Sequence, residues 1–131
     1  MGNFTLDLTR FANKTKLNVD TVVQKATHDI FRSVILKSPV DTGRFRANWL
    51  ASVNSYGSMT LDDTDKSGTT TVSAVGAVAL SAKAGGIVYL VNNLPYAQRL
   101  EYGYSKQAPA GMVRITIMEY QQYINKAVAG V

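Results

Sequence analysis

The residues most suggestive of chemistry are Asp41, Thr42 and Gly43, in the stretch KSPVDTGRFRANW (37–49). Asp-Thr-Gly is the active-site sequence of aspartic proteases, in which two carboxylates share one proton, so a chain of 131 residues would have to dimerise to supply both. The neighbouring sequence argues against this chemistry, because Arg44 follows directly and a nearby cation opposes a shared proton. The alternative is a structural turn, in which Asp41 hydrogen-bonds the backbone and Gly43 supplies a positive φ.

The rest of the chain offers no catalytic or metal-binding pattern. It has no cysteine, and its one histidine, His28, reads as a polar residue on one side of a helix rather than a metal ligand. Asp62, Asp63 and Asp65 are close in sequence but lack the glycine and downstream glutamate of a calcium loop. We therefore expect no enzyme activity, no catalytic residue, no metal and no cofactor.

The composition predicts a single domain over residues 1–131. The hydrophobic content of 46% is ordinary for a globular protein. No segment is apolar enough to span a bilayer, and the start of the chain lacks the features of a signal peptide, so no membrane contact is expected. The net charge of +5 suits proximity to nucleic acid, although no zinc finger, RNA-binding aromatic pair or basic helix is visible.

The strongest predicted element is a helix over residues 19–37. Its apolar residues recur at spacings of three and four and form one stripe. Asn18 is the expected N-cap, with Leu17 and Val22 packing together across that end. Pro39 disfavours a helical conformation of the residue before it, so the helix must end there.

Two stretches are predicted to lie outside the packed elements. Residues 1–17 are read as either a short amphipathic helix or an N-terminal arm, and residues of about 54–70, rich in Asp, Ser, Thr and Gly, as a mobile loop. The apolar anchors expected in the first stretch are Leu6, Leu8 and Phe11.

Three segments have strand character, namely residues 44–53, 69–78 and 86–93, with a short helix considered at 78–84. In the first strand the odd-numbered residues are the expected core face: Phe45, Ala47, Trp49 and Ala51. Trp49 is accordingly expected in the core rather than at an interface.

The C-terminal part predicts a helical turn after Pro95, closed by Gly103, and a final helix over residues 110–128. The expected core stripe of that helix is Val113, Ile117, Tyr120, Ile124 and Ala127. The predicted fold is therefore α+β, a small antiparallel sheet packed against a long helix in the N-terminal half and a C-terminal helix.

This order of elements resembles the neck and tail-completion family of tailed bacteriophages, often described as minor tail components. Three blocks carry the resemblance: SPVDTGRFRANW (38–49), LPYAQRLEYGYS (94–105) and QAPAGMVR (107–114). They occur in the family's order and cover about a quarter of the chain, whereas residues 54–86 match nothing in it. Each block alone is a weak signal, and the series of three is fairly specific.

The resemblance implies a structural virion protein of the head–tail connection, assembled in the host cytoplasm. Such a subunit forms a homo-oligomeric ring, six- or twelve-fold, that joins the portal-proximal connector to the tail and contacts other neck and tail proteins. Double-stranded DNA passes through its lumen without sequence-specific contacts. The alternatives are a head-closure or tail-terminator protein of the same assembly and, in another class, a small basic nucleic-acid-binding domain.

Three groups of residues follow as candidates for these roles. The structural turn consists of Pro39, Asp41, Thr42 and Gly43. The candidate subunit-interface residues are Tyr96, Arg99, Glu101, Tyr102 and Tyr104. Arg99 and Glu101 are interpreted either as an ion pair, within or between subunits, or as a solvated pair. The candidate residues facing the lumen and DNA are Arg44, Arg46, Lys83, Lys106 and Arg114.

Overall fold

The computed structural model describes residues 16–108 and 110–130. These residues form a two-stranded antiparallel sheet and six helices, so the predicted α+β class is confirmed. The helices are α1 (Lys16–Lys37), α2 (Arg44–Ala47), α3 (Thr69–Ala79), α4 (Ala97–Glu101), α5 (Val113–Met118) and α6 (Tyr120–Ala129), and the strands are β1 (Trp49–Val53) and β2 (Val88–Asn92). Trp49 pairs with Asn92 and Val53 with Val88 in the sheet.

The long helix α1 ends at Lys37, where the sequence predicts, just before the buried Ser38 and Pro39. Its N-terminal part differs from the prediction, because Leu17 and Asn18 already lie inside the helix. Asn18 is therefore not the N-cap, and the side chain of Leu17, on which the expected clamp depends, lies outside what the structure describes. Asparagine costs little in a helix interior, so its capping preference alone could not locate the end. The anchors proposed at Leu6, Leu8 and Phe11 lie outside the described residues.

The predicted strand over residues 44–53 is half correct. Arg44–Ala47 form the helical turn α2, and only Trp49–Val53 are extended. Helix α2 forms because Gly43 adopts a left-handed conformation with φ 91° and its carbonyl accepts the Ala47 amide at 3.1 Å. Phe45, Ala47 and Trp49 are buried as expected, and Trp49 lies in the core.

Residues 69–78 form helix α3 and not a strand, so the sheet has two strands where the sequence predicts three. Its β-branched residues favour strand locally, but Thr71, Val75 and Ala79 recur every four residues and form one buried stripe. The helix ends at Ala79, so the short helix considered at 78–84 is wrong as well.

The core brings α1, α2, α3 and the sheet together. Its central side chains are Val34, Ile35, Phe45, Trp49, Val75, Leu94, Ala108 and Met112. Helix α3 packs against both α1 and β1, and α6 packs along α1. The Trp49 Nε1 donates to Ser38 Oγ at 2.8 Å, and this hydroxyl donates to the Val34 carbonyl, which joins the sheet to the end of α1.

The final helix is broken at Glu119 into α5 and α6. The break changes which side faces inward, so Ile117 and Tyr120 of the predicted stripe are 60% and 52% exposed, while Thr116 is buried. Ala127 is buried as predicted. Strand β2 and the helical turn α4, followed by Gly103 at φ 91°, also agree with the sequence.

Candidate assembly surface

The turn before α2 is built differently from its prediction. The Gly43 carbonyl accepts the Asp65 amide at 2.9 Å, and the Thr42 hydroxyl accepts the Arg44 amide at 3.2 Å. Asp41 is exposed, and within the described residues its carboxylate takes part in no hydrogen bond or ion pair. The turn therefore depends on Thr42 and Gly43, and the stabilising role predicted for Asp41 is wrong.

The first and third sequence blocks are joined by a two-way hydrogen bond between Gln107 and the backbone of Val40. The Val40 amide donates to Gln107 Oε1 at 2.8 Å, and Gln107 Nε2 donates to the Val40 carbonyl at 2.9 Å. The Gln107 side-chain amide thus satisfies both the N–H and the C=O group of Val40, which fixes the first and third blocks relative to each other.

The first and second blocks are joined through an aromatic contact. The Phe45 and Tyr96 rings lie 6.0 Å apart between centroids, and Phe45 also meets Trp49 edge-on at 5.7 Å. Leu100 packs against the same core cluster. Contacts of this kind contribute about 1 kcal/mol each beyond the burial of the rings.

The second and third blocks are joined through Glu101. Its carboxylate accepts the amides of Met112, Val113 and Arg114 at 2.8–3.1 Å, which are the unpaired N–H groups at the start of α5. The Arg114 Nε adds an ion pair at 3.1 Å. Glu101 therefore pairs with Arg114, so an Arg99–Glu101 pair within one subunit is wrong.

The same contacts set the acidity of Glu101. Burial by itself raises the pKa of this carboxyl, but the three backbone hydrogen bonds and the Arg114 side chain outweigh burial and hold the pKa below its ordinary value of 4.5. A folded-state pKa below the unfolded value means that the carboxylate adds stability above pH 4.5 and loses that contribution as the pH falls through the lowered pKa.

Replacing Glu101 with Gln should lower the free energy of unfolding by about 1–2 kcal/mol at pH 7, because a neutral cap loses the charge that favours a helix N-terminus. The deficit should shrink as the pH falls from 4.5 through the lowered folded-state pKa, because first the unfolded and then the folded wild type becomes protonated over that range. Urea unfolding at several pH values measures this. Asp63→Asn, at an exposed carboxylate that has no partner among the described residues, is the control. A deficit that stays constant down to pH 2 would contradict the assigned role.

A groove opens between the first block and the other two. It has a volume of about 360 Å³ and is lined by Pro39, Val40, Asp41, Thr42, Gly43, Phe45, Tyr96, Leu100, Tyr104, Ser105 and Gln107. We call it the Asp41 groove. Its floor is apolar and aromatic, and Asp41 lies at its edge without a partner in the described chain. These surroundings suit binding of a group that has both an apolar part and a positive charge. No second carboxylate lies among the lining residues of the groove to share a proton with Asp41.

The proposed interface residues divide into two sets. Tyr102 and Tyr104 are 73% and 76% exposed, each with an arginine on its ring: Arg114 lies 5.0 Å from Tyr102 and Arg99 lies 6.0 Å from Tyr104. Tyr96 is partly covered by Phe45. The Glu101 carboxylate is bonded within its own chain, and its role at a subunit interface stays a prediction.

The proposed lumen residues also divide into two sets, of which Arg46 forms the first. The Arg46 guanidinium donates to the carbonyls of Leu36, Ser38 and Lys66, which ties the end of α1 to the loop. Burial lowers the pKa of Arg46, and the charge of Asp65 partly opposes that effect. These bonds give Arg46 a structural role within the subunit, and its proposed place at the lumen stays a prediction.

Of the other four candidates, Lys83, Lys106 and Arg114 are exposed and Arg44 is half-buried. Arg44 donates to the Leu61 carbonyl and lies 3.6 Å from Asp62, and Arg114 holds Glu101. Lys83 and Lys106 are exposed, and neither side chain forms a hydrogen bond or ion pair within the described part of the chain.

Two residues that organise this region were missed in the sequence. Asn48 is completely buried, and its amide holds the loop by accepting the Leu61 amide and donating to the Leu61 carbonyl. The Asp65 carboxylate accepts the amides of Gly68 and Thr71 at the start of α3. Asp65 is a recognisable capping residue once a helix is assumed there, whereas no sequence signal distinguishes Asn48 from an exposed strand residue.

No protein-family model, characterised protein or solved structure matches this chain. Within residues 16–108 and 110–130, no three His, Asp or Glu side chains are grouped closely enough to hold a metal ion. None of the helices described above has the length and apolar character needed to cross a membrane.

Proposed function

We propose that this protein is a structural subunit of the head–tail connection of a tailed bacteriophage, a neck or tail-completion protein that assembles into a ring. It has no catalytic role, its ring joins the portal-proximal connector to the tail, and DNA passes through the lumen. Head-closure and tail-terminator positions in the same assembly are the nearest alternatives.

The observation that carries the proposal is the meeting of the three sequence blocks. Residues 38–49, 94–105 and 107–114 are joined pairwise by the Gln107–Val40 bonds, the Phe45–Tyr96 contact and the Glu101 cap. Blocks that resemble one family in sequence thus also form one surface. The contacts between residues 38–49 and residues 94–114 support the resemblance, because these two segments are more than 40 residues apart in the sequence.

The exposed apolar side chains support an assembly role. Beyond Tyr102 and Tyr104, the exposed set includes Tyr56, Met59, Leu80, Ile87, Ile117, Met118 and Tyr120. Tyrosine and methionine are enriched in protein interfaces, and the burial of such side chains supplies most of the free energy of association. A subunit that is surrounded by neighbours would cover much of this surface.

The expected result is a discrete ring of six or twelve copies, measured by light scattering after size exclusion and by negative-stain imaging. Replacing both Tyr102 and Tyr104 with Ser should weaken assembly without unfolding the chain, because both side chains are mostly exposed. Tyr56→Ser is a control of the same residue type outside the three blocks. A monomer that shifts DNA in gels with a steep salt dependence would contradict the proposal and favour the nucleic-acid-binding alternative.

A further inference from the structure

A second exposed feature lies at the opposite end of the subunit from the Asp41 groove. Residues 80–87 connect α3 to β2, and we call them the lysine turn because Lys83 is their one charged residue. The Gly86 amide donates to the Lys83 carbonyl at 3.0 Å, and Gly85 takes φ 85°, so the tip is a closed hydrogen-bonded turn. The chain at Gly85 faces open space, with no atom within 4 Å of the position of a Cβ.

The lysine turn is fixed to the beginning of α1. The Ala84 amide donates to Asp20 Oδ1 at 2.9 Å, and Gln24 Nε2 donates to the Ala82 carbonyl at 3.2 Å. The Asp41 groove follows the other end of the same helix, after Lys37. At 1.5 Å per residue, the length of α1 from Asp20 to Lys37 is about 25 Å. The two features therefore lie toward opposite ends of α1.

The chemistry of the two features is complementary. The lysine turn presents one cation between two exposed aliphatic side chains, Leu80 at 72% and Ile87 at 57% exposure. The groove has an aromatic floor that includes Tyr96. It also has one carboxylate, Asp41, which has no partner among the described residues. A lysine can lay its aliphatic stem on an apolar surface while its ammonium group meets a carboxylate. Of the cations near the groove, Arg99 lies on the Tyr104 ring and Arg44 lies 3.6 Å from Asp62, and within the described residues neither these nor Lys106 forms an ion pair with Asp41.

We infer that the lysine turn of one copy binds in the Asp41 groove of the next copy, so that Lys83 pairs with Asp41 across the subunit interface. This inference rests on the proposed ring. Two different surfaces at opposite ends of one subunit make a head-to-tail contact, and repetition of such a contact closes a ring when the rotation between neighbours permits it. Lys83 then belongs to the interface and not to the lumen.

Charge reversal tests the pairing. Asp41→Lys and Lys83→Asp should each raise the protein concentration needed for half-assembly by on the order of a hundredfold, because each places like charges opposite each other. The double variant Asp41→Lys/Lys83→Asp restores opposite charges and should return to within about tenfold of the wild type. Asp63→Lys and Lys126→Asp, at exposed residues outside both features, are the matched controls and should assemble normally.

Cross-linking is a second test, which detects the contact directly and does not depend on a change in the affinity between subunits. The chain has no cysteine, so Thr42→Cys at the groove and Ala84→Cys in the lysine turn introduce the only thiols. Under oxidation the double variant should form a ladder of covalent oligomers, a mixture of the two single variants should form only dimers, and neither single variant should cross-link alone. Cross-linking of a single variant with itself would overturn the head-to-tail contact.

The outcomes separate this inference from the proposed function. A wild-type ring that is unaffected by both single reversals overturns the Lys83–Asp41 contact and leaves the ring proposal intact. A loss of DNA binding in Lys83→Asp with normal assembly also overturns it and returns Lys83 to the lumen. A chain that stays monomeric at every concentration and forms no ladder overturns both.

Discussion

Replacing Gly43 with Ala should lower the free energy of unfolding by about 2–5 kcal/mol, one of the two largest effects expected in this chain. Two costs add together. The residue has φ 91°, which costs an L-amino acid about 1–2 kcal/mol. An added Cβ would also lie 2.6 Å from the Lys66 amide nitrogen and 2.8 Å from Asp65 backbone atoms, and such overlap costs about 1–3 kcal/mol. The melting temperature should fall by roughly 10 °C or more.

The control for Gly43 is Gly85→Ala. Gly85 also has a positive φ, 85°, but no atom lies within 4 Å of its Cβ position. Its substitution should therefore cost only the backbone strain, about 1 kcal/mol. Thermal and urea unfolding of both variants measure the difference. If the two substitutions cost the same, the close approach of residues 65–66 to Gly43 does not hold in solution.

The turn at Gly43 shows what the sequence predicts well. Its existence, the positive φ and the end of α1 before Pro39 all follow from local chemistry, because proline and glycine restrict or extend backbone freedom wherever they occur. The element after Gly43 cannot be predicted from local chemistry in the same way. Alternating apolar residues favour a strand from Arg44, but the Gly43 carbonyl begins a helical turn that Asn48 ends.

Helix α3 is an element that its local sequence does not predict. Its sequence favours a strand by composition, and its helical state depends on distant partners. The Asp65 carboxylate caps its start, and Gly76 lets His28 of α1 approach so closely that an added Cβ would lie 2.9 Å from the ring. Packing of this kind overrides weak local preferences and cannot be read from one segment.

The candidate site was predictable in part. The three blocks identified the residues that meet at the Asp41 groove, but they did not predict the bonds that join them. Glu101 was read as a surface ion pair with its neighbour Arg99, whereas it reaches across the chain to the start of α5. Such a contact depends on the relative placement of two helices, for which the sequence alone gives no distance.

The composition of the loop over residues 54–70 predicts that this loop is mobile. The structure attaches it at several points: Asn93 Nδ2 donates to the carbonyls of Gly57 and Met59, and Asn48 holds both backbone groups of Leu61. Asn48 is fully buried, and its amide also donates to the Arg44 carbonyl at 2.7 Å. One side chain thus joins α2 to the middle of the loop.

Replacing Asn48 with Ala should lower the free energy of unfolding by about 2–4 kcal/mol, because it removes three hydrogen bonds from a fully buried position and leaves the Leu61 amide without its partner. The Leu61 carbonyl keeps its bond from Arg44 Nε. The loop should also loosen, so the Leu61 amide, now bonded to Asn48 at 2.7 Å, should exchange its hydrogen at least about tenfold faster. Urea unfolding and amide hydrogen exchange measure the two effects.

The matched control is Asn93→Ala, which removes the other asparagine that holds the loop. Its partners, the carbonyls of Gly57 and Met59, belong to exposed residues, so water can replace the lost bonds and the cost should be about 0.5–1 kcal/mol. A comparable loss in the two variants would mean that burial of Asn48 does not decide its effect. Rapid exchange of the Leu61 amide already in the wild type would show instead that the loop is mobile, as its composition predicts, and that neither asparagine holds it in solution.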